Sequence, residues 1–160
     1  MHRIYENVDI TVFWDSEKCV HSRNCVMGAP DNFNVNKKPW VNLENADAAK
    51  VWQALDKCPD KALSCVYNHD IKVLLEEDNC RSAAYDAGKK IGECDYKING
   101  ETITMFHTEV DPEYGGKSIA KRLAYKVIEM AEKKKLTINP TCSYVAKILG
   151  LPENKIPTEE

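Results

Sequence analysis

Hydrophobic and polar positions alternate through VDITVFW at residues 8–14, and the segment is rich in β-branched and aromatic side chains, so it is predicted to be a strand. The stretch GAPDNFNVNKKPW that follows Cys25 is dense in Gly, Pro and Asn and is expected to be an irregular connection. From Asn45 the rhythm changes. Ala48, Val51, Trp52, Leu55 and Cys58 recur at the spacing of one helix face, with Asn45 or Asp47 as the cap and Pro59 as the stop.

The second half has a different cadence. IKVLLEE and CRSAAYD, broken at Asp78-Asn79, are expected to be two strands or one long bent one, with Cys80 and Cys94 as packing residues inside strands. KKIGECDYKI and ETITMFHTEV flank Asn99-Gly100, a strong hairpin signal. Residues 115–135 carry Ile119, Leu123, Val127 and Met130 on one stripe and end in lysines, which favours a helix. LTINP at 136–140 is a short strand, and 141–151 is a last helix with Thr141 as its cap and Cys142 in its first turn. The fold class expected is α+β in two modules, residues 1–69 and residues 70–160.

Composition narrows the function. The 160 residues carry 22 basic and 25 acidic side chains, a net charge of −3, and neither half has a positive excess suited to nucleic acid or an anionic membrane. Apolar runs are far shorter than the ~20 residues that span a bilayer. MHRIYENVD offers no apolar leader, so a cytoplasmic location is the expectation.

Seven cysteines is a high count for a reducing compartment. The set is odd in number and unevenly spread, which suits a metal or cluster site with extra thiols better than a disulfide framework. Cys19-x5-Cys25 is followed after 32 residues by Cys58-Pro59. Ferredoxin loops use C-x2-C-x2-C with a distant Cys-Pro, and here Ser22 holds the middle position. Packed thiols and a zinc site are the competing readings. Trp14, Trp40 and Trp52 are expected in the core of a module too small to pack well without a staple.

The text DITVFWDSEKCVHSRNC, then NKKPW, then CPDKAL resembles the divergent single-cluster 4Fe-4S domains. That resemblance implies an iron–sulfur cluster on Cys19, Cys25 and Cys58, with Cys65, His21 or no residue as fourth ligand. The cluster would be 4Fe-4S or 3Fe-4S.

In VDPEYGGKSIAKRL at 110–123 a strand gives way to a glycine turn and a helix start, which aims backbone N–H groups at one spot and suits a pyrophosphate. The spacing is not that of a Walker A loop. With its flanks, from ECDYKING to PTCSYVAKIL, the stretch resembles the minimal N-acetyltransferases of the GNAT superfamily. The resemblance implies acetyl-CoA as cofactor. Its pyrophosphate would lie on Gly115, Gly116, Lys117, Ser118, Ile119 and Ala120, its pantetheine beside the strand ending at Val110, and Tyr144 would wall the cleft. Gly115 stands where the family has an arginine, and Ser118 where it has a second glycine.

Cys142 at a helix start is a candidate nucleophile. His107 and Glu109 share one strand face and are candidates for pairing with Cys142 or for general base in direct attack by an amine. The expected function is an acetyl-CoA-dependent N-acetyltransferase carrying an iron–sulfur cluster, with an unknown amine or thiol acceptor. The alternative is a non-enzymatic redox or iron-sensing protein whose second module only binds CoA.

Overall fold

A computed structural model describes residues 1–150, so Leu151 of the last expected helix and the rest of the second module's stretch to 160 lie outside the described residues. The chain divides into two compact units, Met1–Asp70 and Ile71–Glu160.

The first unit is a three-stranded antiparallel sheet of β1 (His2–Glu6), β2 (Ile10–Asp15) and β3 (Leu63–Tyr67), with β2 in the middle. Two short helices follow β2, α1 (Asn24–Gly28) and α2 (Ala48–Asp56). Every residue of β2 is buried, as a central strand requires. Asp47, not Asn45, caps α2, its carboxylate accepting from the Ala49 and Lys50 amides. Val51, Ala54 and Leu55 form the buried face of α2, while Trp52 is 42% exposed, contrary to its expected place in the core. The buried stripe is narrower than the sequence spacing suggests because Ala54 meets Gly28 of α1 closely. A Cβ on Gly28 would lie 2.8 Å from that of Ala54.

The second unit is a five-stranded sheet in the order β4 (Ile71–Glu76), β5 (Arg81–Asp86), β6 (Lys89–Asn99), β7 (Thr102–Val110) and β8 (Thr137–Pro140). Residues 71–86 are thus two strands rather than one bent strand. The turn between them places Cys80 at φ 52 and exposes it, so it is not a packed strand residue, whereas Cys94 is fully buried. The hairpin pairs Asn99 with Thr102 around Gly100, at φ 62. Strands β4 to β7 pair antiparallel, and β8 returns parallel to β7 after α3 (Ile119–Lys133). Parallel neighbours need such a crossover.

Ile119, Leu123, Val127 and Met130 are all buried against the sheet, as the stripe predicts. The buried Arg122 reaches back to donate from Nη2 to the Ile71 carbonyl at 2.9 Å. The last helix, α4 (Ser143–Ile148), starts later than expected. Cys142 is its cap residue, and the Thr141 hydroxyl instead donates to the Met105 carbonyl.

Gly92 on β6 lets α3 and the end of β7 close together. A Cβ there would meet the Glu109 carbonyl at 2.9 Å, Leu123 Cδ1 at 3.2 Å and Val110 Cγ2 at 3.3 Å. Gly92→Ala is expected to destabilise the protein by roughly 1–3 kcal/mol through overpacking. A thermal melt checks this, and an unchanged midpoint would contradict so close an approach.

Candidate functional site

The sulfur-rich site of the first unit is built by a loop, α1 and the end of α2. Cys19, Cys25 and Cys58 line one cavity of about 580 Å³, with Trp14, Trp40 and Leu63 among its apolar walls. Trp40 stands edge-on to Trp14 at 5.1 Å and tilted on Phe33 at 5.9 Å, so one wall is an aromatic stack. The loop bends through His21 at φ 58 and Arg23 at φ 66, left-handed conformations that cost non-glycine residues of order 1 kcal/mol or more each. Those turns bring the His21 amide to the Cys19 sulfur at 3.4 Å. The Asn24 side chain donates to the Lys57 carbonyl at 2.9 Å, tying the loop to the residue before Cys58. Burial, with smaller contributions from the Cys19 and Cys58 thiols, pushes the Cys25 thiol above its ordinary value.

Arg23, Lys37 and Lys38 contribute positive charge to the same cavity, against Asp60 alone among acids. The soft donors, an amide facing a sulfur and a basic rim fit an anionic thiolate-ligated cluster. Cys65 lies elsewhere. It lines a separate cavity under α2 with Trp52, Leu55 and Asp56, and burial, then the Asp56 charge, push its thiol up to about 11. Among the described residues no group of three or more His, Cys, Asp or Glu side chains is arranged for a single metal ion.

In the second unit the informative feature is where β8 stops. It pairs with β7 only from Thr102 to Met105, and β7 continues to Val110. The Cys142 amide donates to the Met105 carbonyl at 3.0 Å, so this half-buried thiol sits where the two strands part.

Beyond Val110 the Asp111 carboxylate caps the turn Pro112–Tyr114 by accepting from the Glu113 amide. Tyr114 donates to Asp86, which holds the turn down and pushes the phenol up to about 12. The Gly115 amide donates to the Pro112 carbonyl at 3.2 Å, so it shapes the turn. Gly116 at φ 78 and Ser118 at φ 56 are left-handed, and the first helical bond runs from the Arg122 amide to the Ser118 carbonyl. The amides of Ile119 and Ala120 precede that bond, at the positive end of α3.

His107 and Cys142 are not brought together. An irregularity between Asp95 and Tyr96 leaves Phe106 as the extra residue of β7. Past it, Thr108 pairs with buried Cys94 while His107 pairs with Asp95 on the opposite face. His107 Nε2 lies 3.3 Å from Glu109 Oε2, both exposed. On that face Asp95 is pushed up to about 6 by burial, then by the hydrogen bond and charge of Glu93, against smaller pulls from His107 and Arg81. The Cys142 thiol instead meets Thr108, donating to its Oγ1 at 3.6 Å. Tyr144 is half-buried beside the two thiols, its phenol raised by burial and then by Cys142 and Cys94. Neither Asp95 nor Thr108 stood out in the sequence. A single inward hydroxyl within HTEV was the only signal for Thr108, and a bulge without glycine leaves none.

Residues 5–68 match the divergent 4Fe-4S mono-cluster family, and residues 81–154 match the GCN5-related N-acetyltransferase family. Over 68 residues the chain is 38% identical to the uncharacterized protein YjdI of Escherichia coli (strain K12), an alignment covering 42% of this chain and 87% of YjdI. An aminoglycoside acetyltransferase from an uncultured soil metagenomic sample is 20% identical, with 50% of this chain and 59% of that one covered and a TM-score of 0.34. The PaiA N-acetyltransferase of Thermoplasma acidophilum, solved with coenzyme A, is 18% identical, with 72% of this chain and 64% of that one covered and a TM-score of 0.33. The chain thus spans 59% and 64% of the length of those two solved proteins. In N- to C-terminal order, the chain carries a divergent 4Fe-4S mono-cluster domain at residues 5–68, the part that YjdI resembles, and a GCN5-related N-acetyltransferase domain at residues 81–154.

Proposed function

We propose that the chain is an acetyl-CoA-dependent N-acetyltransferase carrying an iron–sulfur cluster, with domains at residues 1–69 and 70–160, and that the acetyl group passes through Cys142 to an amine or thiol acceptor. The observation that carries the transfer reading is the place of Cys142, at the parting of β7 and β8 and anchored to Met105. On this reading the amide-bearing pantetheine arm hydrogen-bonds the β7 edge that β8 leaves open, between Met105 and Val110. The pyrophosphate lies on the amides of Gly116, Lys117, Ser118, Ile119 and Ala120, where the helix end favours negative charge. Gly115 shapes that turn, and Tyr144 walls the arm.

In the step itself, Cys142 Sγ forms a bond to the acetyl carbonyl carbon as the bond from that carbon to the CoA sulfur breaks. The thiol proton of Cys142 ends on the departing CoA sulfur. The acceptor then takes the acetyl group and leaves its proton to restore the Cys142 thiol. The His107–Glu109 pair favours a second route, direct attack by an amine whose proton that pair takes up on the outer face. Nothing favours a second module that only holds CoA.

Cys19, Cys25 and Cys58 would hold the cluster, and the separate cavity of Cys65 leaves His21 as the remaining loop candidate for a fourth ligand. A cluster bound there supplies a one-electron redox centre. The loop residues would wrap it, with Trp14 and Trp40 on one wall of the cavity.

Protein reconstituted anaerobically with iron and sulfide is expected to be brown with about three to four irons per chain. Cys58→Ala should lose the colour and most of the iron, whereas Cys65→Ala should keep both. Colourless, iron-free wild-type protein would refute the cluster reading. Incubated with acetyl-CoA, the protein should gain the mass of one acetyl group. Cys142→Ala should gain none and fall roughly a hundredfold or more in kcat/KM. Full activity in that variant without any adduct would transfer the role to His107 and Glu109.

A further inference from the structure

The Cys142 thiol is one end of a short hydrogen-bond chain. Its S–H donates to Thr108 Oγ1 at 3.6 Å, and the Thr108 hydroxyl donates onward to Cys94 Sγ at 3.4 Å. A threonine hydroxyl has one proton to give and two lone pairs to offer, so in this state the proton is committed to Cys94. Cys94 is fully buried on β6, and burial pushes its thiol up to about 12 despite the Thr108 hydrogen bond. It therefore keeps its proton at any working pH. Cys142, at the other end of the chain, stands half-buried at the strand parting.

We propose that Thr108 is the positioning residue for Cys142, a hydroxyl rotor that accepts from the thiol at rest and turns from Cys94 to donate to the Cys142 sulfur when that sulfur carries charge. This rests on the reading of Cys142 as acetyl carrier. The rotor acts in two ways. At rest its lone pair fixes the direction of the Cys142 sulfur, which the short α4 would otherwise leave free to turn. When the thiol proton departs, the hydroxyl supplies a charge-assisted hydrogen bond without any movement of the backbone, since Cys94 tolerates losing its partner better than a thiolate does. The proton itself does not travel along the chain, because neither Thr108 nor Cys94 is a base here. It goes to the leaving sulfur.

The titratable groups facing Cys142 are Cys94 from β6 and Tyr144 from α4. Both stay neutral near pH 7. His107 is on the far face of β7, and its pairing with Asp95 and Glu109 keeps it from serving instead.

The test is the rate at which iodoacetamide alkylates Cys142, mapped to its peptide by mass spectrometry, on the full chain between pH 6 and about pH 9. Thr108→Val keeps the shape and removes the hydroxyl. It should slow Cys142 alkylation at pH 7 about tenfold and displace the pH profile upward, with an unchanged melting midpoint. Thr108→Ser restores the hydroxyl and should return the rate to within about twofold of wild type. Should the valine variant fold poorly, Cys94→Ala serves as the second probe. It frees the rotor for Cys142, and alkylation should hold or quicken. A valine variant as reactive as wild type, a serine variant as slow as valine, or slowing in Cys94→Ala would each overturn the proposal. If alkylation follows the expected pattern while acetyl-CoA leaves no acetyl group on Cys142, the carrier reading fails and the rotor stands.

Discussion

A parallel strand can join an antiparallel sheet only through a crossover, and in the second unit the helix that makes it also sets where pairing ends. Helix α3 is fifteen residues long and buries Ile119, Leu123, Val127 and Met130 against the sheet. The chain that returns from it sets four residues of β8 alongside β7, the last of them Pro140. Proline has no amide to donate, and the next two residues turn back to the Met105 carbonyl, so the ladder stops there. The open edge of β7 and the cap position of Cys142 both follow from that mismatch of strand lengths. A β8 extended by a few residues would pair with the edge and move Cys142 away from Thr108.

The first unit meets a different constraint. Seventy residues bury too small a fraction of their surface for a core to be generous. Trp14 is buried in its core, as expected, with the partly buried Trp40 packed against that core, and both also wall the cavity of the three thiols. Two left-handed residues in one loop, His21 and Arg23, add strain. A ligand that gathers three thiols would offset that cost, since its binding energy is folding energy when the unfolded chain has no formed site.

The sequence made the larger elements legible because their periodicity and their caps agree. The stripe of α3 and the Asn-Gly hairpin each had two independent signals, and β2 forms where its β-branched and aromatic content points, although all six of its residues are buried rather than alternating. Where one signal stood alone the structure departed from it. Trp52 sits at a helical spacing but faces outward, because close contact at Gly28 gives the packing face to Ala54. Strands β1 and β3 escaped notice since β1 mixes charged and apolar positions and β3 hides between Pro59 and the unit boundary. The pairing of Cys142 with His107 required knowing the phase of β7. An extra residue at Phe106 reverses that phase, and a bulge without glycine or proline leaves no trace in composition.

Burial together with strand pairing, more than spacing, sorts the seven cysteines. A thiol can act as ligand or nucleophile only where its anion is tolerated, and apolar surroundings withhold that tolerance. Cys94 is buried deeply enough that its proton is fixed, and Cys65 is held nearly as firmly beside the Asp56 carboxylate. Both also sit within paired strands, Cys65 opposite Val12 and Cys94 opposite Ser82 and Thr108, so neither can swing toward a new partner without breaking a ladder. Cys19, Cys25, Cys58 and Cys142 are half-buried in loops or at helix ends, where amides point outward and the backbone has freedom to close on a ligand. Cys80 is exposed, but it stands in a turn, and among the described residues no group of metal-binding side chains gathers around it. Chemistry in this chain therefore belongs to thiols that are partly shielded and near backbone donors, a combination that residue spacing alone does not encode.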